Sequence, residues 1–308
     1  MGSLIGELEK FYEELPMWAK AAAAGGVACC IYLPYKWFIN VPRSTPYKKD
    51  YQKGIAYLYQ FPRSSVVPSL SPFCLKLETW LRMADIPYEN LEAPLNVRSC
   101  EGTLPFVEYD GVEYPDSSFA ISELTALLHK EGLESHLTDE QRAVSRAFEN
   151  LAETSLCLSY NHTGRIPHIS EVFALLPPSL SIFSPLVSWF AQRSFVSKIL
   201  FASKSYGVGK HSDADIIKIS NDDLNAISVY LGSKHYFTGF KPTRVDATLF
   251  GMLCQIIYMP FDTPQKTFVH DRCQNLIDFC ERIKGRYWSD WEECTKKFAL
   301  NTDRKRKA

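Results

Sequence analysis

The sequence predicts a small mixed α/β domain followed by a larger all-α domain, and three observations carry that reading. Short β-branched and aromatic runs, the pattern of strands, are confined to the chain before about residue 137. Within that stretch an apolar helical face from Phe73 to Ala84 separates the first two runs, and beyond it only helix-period patterns persist. At 308 residues the chain is also about twice the usual length of one domain, as two modest domains require.

Composition narrows the class. Hydrophobic residues make up 46% and charged residues 22%, with ordinary Gly and Pro usage, which excludes a disordered or collagen-like chain. Lys plus Arg (34) nearly balances Asp plus Glu (35), so no overall basic field exists to hold a phosphate backbone, and nucleic acid is not an expected partner. Nine cysteines, an odd number without framework spacing, read as free thiols in a reducing compartment, which makes the body cytoplasmic.

The elements follow in order. Residues 1–53 are a leader with a basic linker. From Ala21 to Tyr35 no charge interrupts the chain, a length of about 22 Å as a helix against a hydrocarbon core of about 30 Å. If Lys20 and Lys36 snorkel, the apolar stretch widens to residues 17–41 and spans, although Gly25, Gly26 and Pro34 weaken the helix. Two readings stand: a membrane anchor, or a helix buried against the body or a partner. A cleaved signal fits less well, because Glu7, Glu9, Glu13 and Glu14 stand where a basic region should. The flank Lys36, Arg43, Lys48, Lys49 and Lys53 would keep the body of an anchored chain on the cytosolic side. Cys29 and Cys30 read as buried thiols, with acylation as the alternative.

Residues 54–134 form the first domain. Ile55 to Phe61 is a strand that ends at Pro62; Ser71 is an N-cap with Pro72 at the first helical position, opening a helix that stops at Asp85-Ile86-Pro87. Tyr88 to Leu91 and Leu104 to Tyr109 are further strands, Asp110-Gly111 a turn, and Val112 to Tyr114 its hairpin partner. Asp116-Ser117 then opens a helix through Leu128. This β-α-β, β-β-α order is thioredoxin-like. Residues 135–298 are all-helical: Thr138 to Gln141 is a capping box, Pro177-Pro178 a break, and residues 179–200 and 214–231 are helices. Thr243 to Asp246 caps a helix with Val245, Leu249, Met252, Leu253 and Ile256 on one face, and a last helix lies around Asn275 to Ile283. Residues 299–308 are a tail ending in the basic run Arg304 to Lys307.

A thioredoxin-like half followed by an all-helical half resembles the glutathione S-transferases. Leu104-Pro105 resembles that superfamily's residue and cis-proline beside the cysteinyl part of glutathione, Asp116-Ser117 its acid-Ser pair for the γ-glutamyl group, and Thr243 to Asp246 its core capping box. The strings SPFCLKLETWLRMADIPYEN from Ser71, GTLPFVEYDG from Gly102 and CERIKGRYWSDW from Cys280 are similar to the failed axon connections family, a metaxin-related branch that includes the nematode cadmium-responsive proteins. The likeness covers roughly residues 54–293. It implies a transferase-like fold, association with axon development and metal stress, and no established reaction.

The chemistry divides into two function classes. Ser71 stands where a dithiol oxidoreductase needs its first cysteine, and Cys74 fills only the fourth position, which excludes intramolecular disulfide exchange. Ser71 is a candidate catalytic hydroxyl for stabilising a glutathione thiolate, against the plainer role of helix cap. Cys74 is a candidate activated thiol, against a small buried residue. Leu104, Pro105, Asp116 and Ser117 are the candidate glutathione contacts, with an ordinary N-cap as the alternative for the last two. Arg63 and Lys76 are candidates for the glycyl carboxylate, the default being solvated surface charge; Tyr57 and Tyr59 are expected as core aromatics facing the helical domain. His270 and Cys273, with Cys280 and either Cys254 or Cys294, do not make a convincing metal site, and none is expected. A membrane-associated, non-catalytic adaptor with an unidentified protein partner therefore stands beside a glutathione-dependent transferase or peroxidase. No cofactor is required by the first, glutathione by the second, and homodimerisation is open in both.

Overall fold

The computed structural model describes residues 46–93, 97–178 and 185–302, with positions 13, 15–17, 19 and 20. Most of the apolar segment 17–41, Cys29 and Cys30 within it, and the basic run Arg304 to Lys307 lie outside the described residues. Among the described residues no helix is long and apolar enough to cross a membrane. Two units are present. In the first, Ala19 N and Lys20 N both donate to Pro16 O, closing a short helical turn. The second comprises residues 48–93 and those from 98 onward.

The sheet forms first along that second unit. Strand β1 (Ala56–Gln60) leads through helix α1 (Pro72–Met83) to β2 (Tyr88–Glu92), then β3 (Phe106–Tyr109), β4 (Val112–Pro115) and helix α2 (Ser117–Leu127). The order is β2-β1-β3-β4, with β1 parallel to β2 and antiparallel to β3, the arrangement a thioredoxin-like domain requires. Positive φ at Asp110 and Gly111 makes the tight hairpin turn that the Asp-Gly pair predicts.

The helical part begins at α3 (Asp139–Leu151), capped by the reciprocal Thr138 and Gln141 bonds. It continues through a π turn (Ala152–Leu156), α4 (Cys157–Tyr160) and a second π turn (Asn161–Arg165). Then follow α5 (Ile169–Ala174), α6 (Pro185–Ser205), α7 (Asp213–Leu231), α8 (Arg244–Ile257), α9 (Pro264–Arg272), α10 (Gln274–Tyr287) and α11 (Trp291–Lys296). Helices α9 and α11 were not anticipated, although Thr263-Pro264 carries a start signal: Lys266 N donates to Thr263 Oγ1.

Helix α8 departs from the one-face pattern, because every residue from Val245 to Ile257 is buried. It lies against α1 on one side and the other helices on the rest. Gly251 permits this approach: a Cβ there would stand 2.5 Å from the Pro72 carbonyl oxygen, a backbone atom. The tyrosines on β1 also depart from expectation. Ala56 and Leu58 join the main core, whereas Tyr57 and Tyr59 point to the opposite sheet face, as strand alternation dictates. There Tyr59 stacks on Phe106 at 4.5 Å and donates to Glu108 Oε2, and Tyr57 Oη accepts from Gln52 N. The segment beginning at Lys48 covers this face.

Arg63, expected as a solvated surface charge, lies instead in a buried polar cluster. Arg63 is enclosed, its two terminal nitrogens 2.7 and 2.9 Å from the two oxygens of Glu78. Glu78 also accepts from Arg82, Tyr88, Gln60 and Asn90. Arg82 in turn grips Asp290 through both oxygens and lies 3.6 Å over the Trp288 ring. The end of the chain closes the cluster: Arg63 donates to the carbonyls of Ala299 and Leu300, and Asn301 exchanges two hydrogen bonds with the Asn90 backbone along the outer edge of β2. Burial opposes ionisation of Glu78, yet the Arg63 and Arg82 guanidinium groups outweigh it and hold the carboxyl well below the usual carboxylate range.

A depressed folded pKa contributes stability that is present above the ordinary Glu value of 4.5 and lost as pH falls below it. Glu78→Gln should therefore cost about 3–5 kcal/mol at neutral pH, where it leaves Arg63 buried without a carboxylate and Arg82 with Asp290 alone. The difference from wild type, read as urea midpoints across pH, should narrow below pH 4.5. Gly251→Ala should lower stability by about 1–3 kcal/mol despite the better helix propensity of alanine, since backbone must move to admit the methyl group.

Candidate functional site

The candidate residues gather at one end of the sheet for a topological reason. Register pairs Tyr59 with Phe106 and Phe106 with Pro115, so the exit of β1, the entrance of β3 and the exit of β4 coincide. The loop leading to Ser71, the Leu104-Pro105 peptide and the Asp116-Ser117 pair all extend from that end. The Leu104-Pro105 bond is cis.

Ser71 is the N-cap of α1. Its extended backbone turns the hydroxyl back onto the helix, and Oγ accepts from Cys74 N at 3.4 Å. Ser71 N is itself held by Ser69 Oγ at 3.2 Å. Cys74 has no solvent exposure, and burial pushes its thiol up to about 11 against the opposing bonds from Ser71 and the Phe61 backbone. A thiol in that state is protonated at neutral pH, the opposite of what an activated nucleophile needs.

Asp116 caps α2: Oδ1 accepts from Ser118 N at 2.7 Å and Phe119 N at 3.2 Å. It does so at φ 59 and ψ 140, an unfavourable backbone region for a residue with a side chain. Ser117 beside it is buried.

Between α1 and the helical part lies a cleft of about 190 Å³, lined by Phe73, Lys76, Glu153, Cys157, Thr248 and Met252 among others. Its chemistry rests on Lys76, which sequence reasoning left on the surface. The side chain is 1% exposed, and Nζ donates to Ser118 Oγ at 2.6 Å and Glu153 Oε1 at 2.5 Å. Glu153 is placed there by the first π turn. The second π turn carries Arg165 to the Leu70 carbonyl and to Gln255 Oε1, while Gln255 Nε2 reaches the Ser69 carbonyl. The loop before Ser71 is thus pinned by the helical part through two residues that no sequence pattern marked.

Cys254, Cys273, Cys280 and Cys294 are buried free thiols. Among the described residues no group of three or more His, Cys, Asp or Glu side chains is placed to hold a metal ion.

Comparison with known proteins agrees with this architecture. The glutathione S-transferase N-terminal domain profile matches residues 72–163 and the C-terminal domain profile residues 220–283. The solved glutathione S-transferase of Ceriporiopsis subvermispora shares the fold, with a TM-score of 0.53 at 16% identity over 81% of this chain and 99% of that one. The chain is thereby a protein of glutathione S-transferase fold, in which a thioredoxin-like and a helical half are both present. At the level of sequence it is 36% identical to Failed axon connections of Drosophila melanogaster over 83% of its own length, spanning 63% of that relative. Its identity to the Metaxin-1 homolog of Caenorhabditis briggsae is 25%, covering 75% of this chain and 73% of the relative. Its identity to the isoprene-epoxide glutathione S-transferase of Rhodococcus sp. (strain AD45) is 27%, covering 72% and 94%. The chain belongs to the failed axon connections family, metaxin-related within the proteins of this fold.

The cap bond of Ser71 generates a direct expectation. Ser71→Ala should cost about 1 kcal/mol in thermal or urea unfolding, the usual value of a lost N-cap. Any glutathione conjugation rate should be unaffected. A rate loss of about a hundredfold at unchanged stability would instead assign the hydroxyl to a bound thiolate.

Proposed function

We propose that this chain is a binding or adaptor protein built on the glutathione S-transferase fold, with no catalytic reaction of its own and glutathione as a weak ligand or none. The observation that carries this reading is the commitment of its cations. Glutathione brings two carboxylates, and a site for it needs positive groups free to meet them. Arg63 is enclosed by Glu78 and the carbonyls of the chain end, and Lys76 by Glu153 and Ser118. Neither is available without breaking a buried ion pair. Family membership extends the reading: a role in axon development and in the response to cadmium, exercised through a protein partner, with a cytoplasmic body tethered to a membrane by residues 17–41.

A second reading is a glutathione-dependent transferase or peroxidase that uses Ser71 to stabilise the thiolate and Leu104, Pro105, Asp116 and Ser117 to hold the tripeptide. The convergence of these residues at one sheet end favours it, as does the similarity to the Rhodococcus enzyme. Calorimetry of the full chain with glutathione separates the two. The adaptor reading expects no saturable heat up to millimolar glutathione; saturable binding together with turnover of an electrophile would replace it with the enzyme.

A further inference from the structure

Helix α6 takes no part in the cleft, and its outward face has a composition of its own. At about 100° per residue, Phe190, Ser194, Ser197 and Phe201 fall on one stripe, with Arg193 and Lys204 along one side and Lys198 along the other. All seven are exposed. Phe190 is 55% and Phe201 75% exposed, and Trp189 at the margin is 51% exposed with the Arg193 guanidinium 5.6 Å over its ring. The inward face is accounted for: Phe195 meets Phe173, and Gln192 meets Ser170. Large aromatic rings on the solvent side of a helix that already has a packed inner face call for a separate explanation.

The charge pattern supplies one. Residues 172–212 contain Arg193, Lys198, Lys204 and Lys210 and none of the chain's 35 carboxylates, although acids and bases nearly balance over the whole sequence. Glu171 and Asp213 bound the stretch. A protein interface of alternating sign would need carboxylates here to set register, and a single convex helix face offers no pocket for a partner's anchor residues. A uniformly anionic surface needs neither. It needs aromatic rings that enter the boundary between headgroups and acyl chains, small residues between them, and flanking cations whose stems reach the lipid phosphates.

We propose that the outward face of α6 is an interfacial membrane-binding surface that seats on an anionic lipid leaflet, with Phe190 and Phe201 inserted and Arg193, Lys198 and Lys204 on the headgroups. This surface does not involve residues 17–41 and does not depend on their reading.

The test is flotation of the full chain with vesicles of phosphatidylcholine, with and without phosphatidylserine. Partitioning should be stronger into the anionic vesicles and should weaken as salt is raised. Replacing the three cations (R193E, K198E, K204E) should weaken it by about a hundredfold or more at an unchanged melting temperature, and the pair F190S, F201S should weaken it at any salt. A second measurement needs no charge variant: lipids brominated on their acyl chains should quench Trp fluorescence in the wild type and measurably less in W189F. Equal partitioning into neutral and anionic vesicles overturns the proposal, as does an α6 variant that binds like wild type, which would leave binding to another segment. Identical quenching in wild type and W189F, or no lipid binding by a chain whose α6 variants lose only an acidic protein partner, overturns it as well.

Discussion

Glu78 is a carboxylate without solvent exposure, held between the guanidinium groups of Arg63 and Arg82, and the two parts of the body are assembled around it. Arg63 comes from the loop after β1, Glu78 and Arg82 from α1, Asn90 from β2, and Asp290 from the turn before α11. No apolar contact specifies position as tightly, because a buried ion that loses a partner costs several kcal/mol whereas a displaced methyl group costs a fraction of that. The cluster therefore fixes where the helical part and the chain end meet the sheet. It also gives β2 a finished outer edge, since the Asn301 side chain pairs with the Asn90 backbone where another strand would otherwise add.

That constraint reaches the candidate site through α1. One turn before Glu78 the same helix carries Cys74, two turns before it Ser71, and on its other side Lys76. Because Glu78 and Arg82 anchor the C-terminal half to the sheet edge and Gly251 lets α8 press on the N-terminal half, the helix has no freedom to rotate. Lys76 is thereby committed to the interface with α2 and the first π turn. An ammonium group buried there needs a carboxylate, and the π turn that swings Glu153 inward provides it. The committed lysine is a consequence of one helix being held on all sides.

What was legible in the sequence follows the range of the interactions involved. The β-α-β, β-β-α order, the Ser71-Pro72 start, the Asp110-Gly111 turn and the Thr138 to Gln141 box are set by neighbours within four residues, and each is found in place. Arg63 and Lys76 were not legible, because a charge among apolar residues reads as solvated until its partner is known, and their partners Glu78 and Glu153 lie 15 and 77 residues away. The orientation of Tyr57 and Tyr59 failed for a related reason. Alternation on β1 is clear, but both faces are buried, so the pattern alone cannot say which face meets the helices. Of the candidate site, the residue types at the sheet end could be read from motifs, whereas Glu153, Arg165 and Gln255 could not, since two π turns shift the facing of the long helix in a way that periodicity does not encode.

Backbone geometry and charge are specified by different means on this scaffold. The sheet end still brings together a cis Leu104-Pro105 peptide, a strained Asp116 and a helix-capping hydroxyl, all of them backbone arrangements that the register of four strands enforces. Charge is not enforced by register. It is set by side chains, and here Arg63 and Lys76 have each been drawn into a buried ion pair that contributes to assembly of the body, while Arg165 is held by the Leu70 carbonyl and Gln255. A thiolate substrate would have to compete with Glu78 and Glu153 for those cations inside a low-dielectric interface, where partner loss is most costly. Backbone geometry at the sheet end and the pairing of the nearby cations are thus set by different parts of the sequence, and the second contributes to holding the fold together.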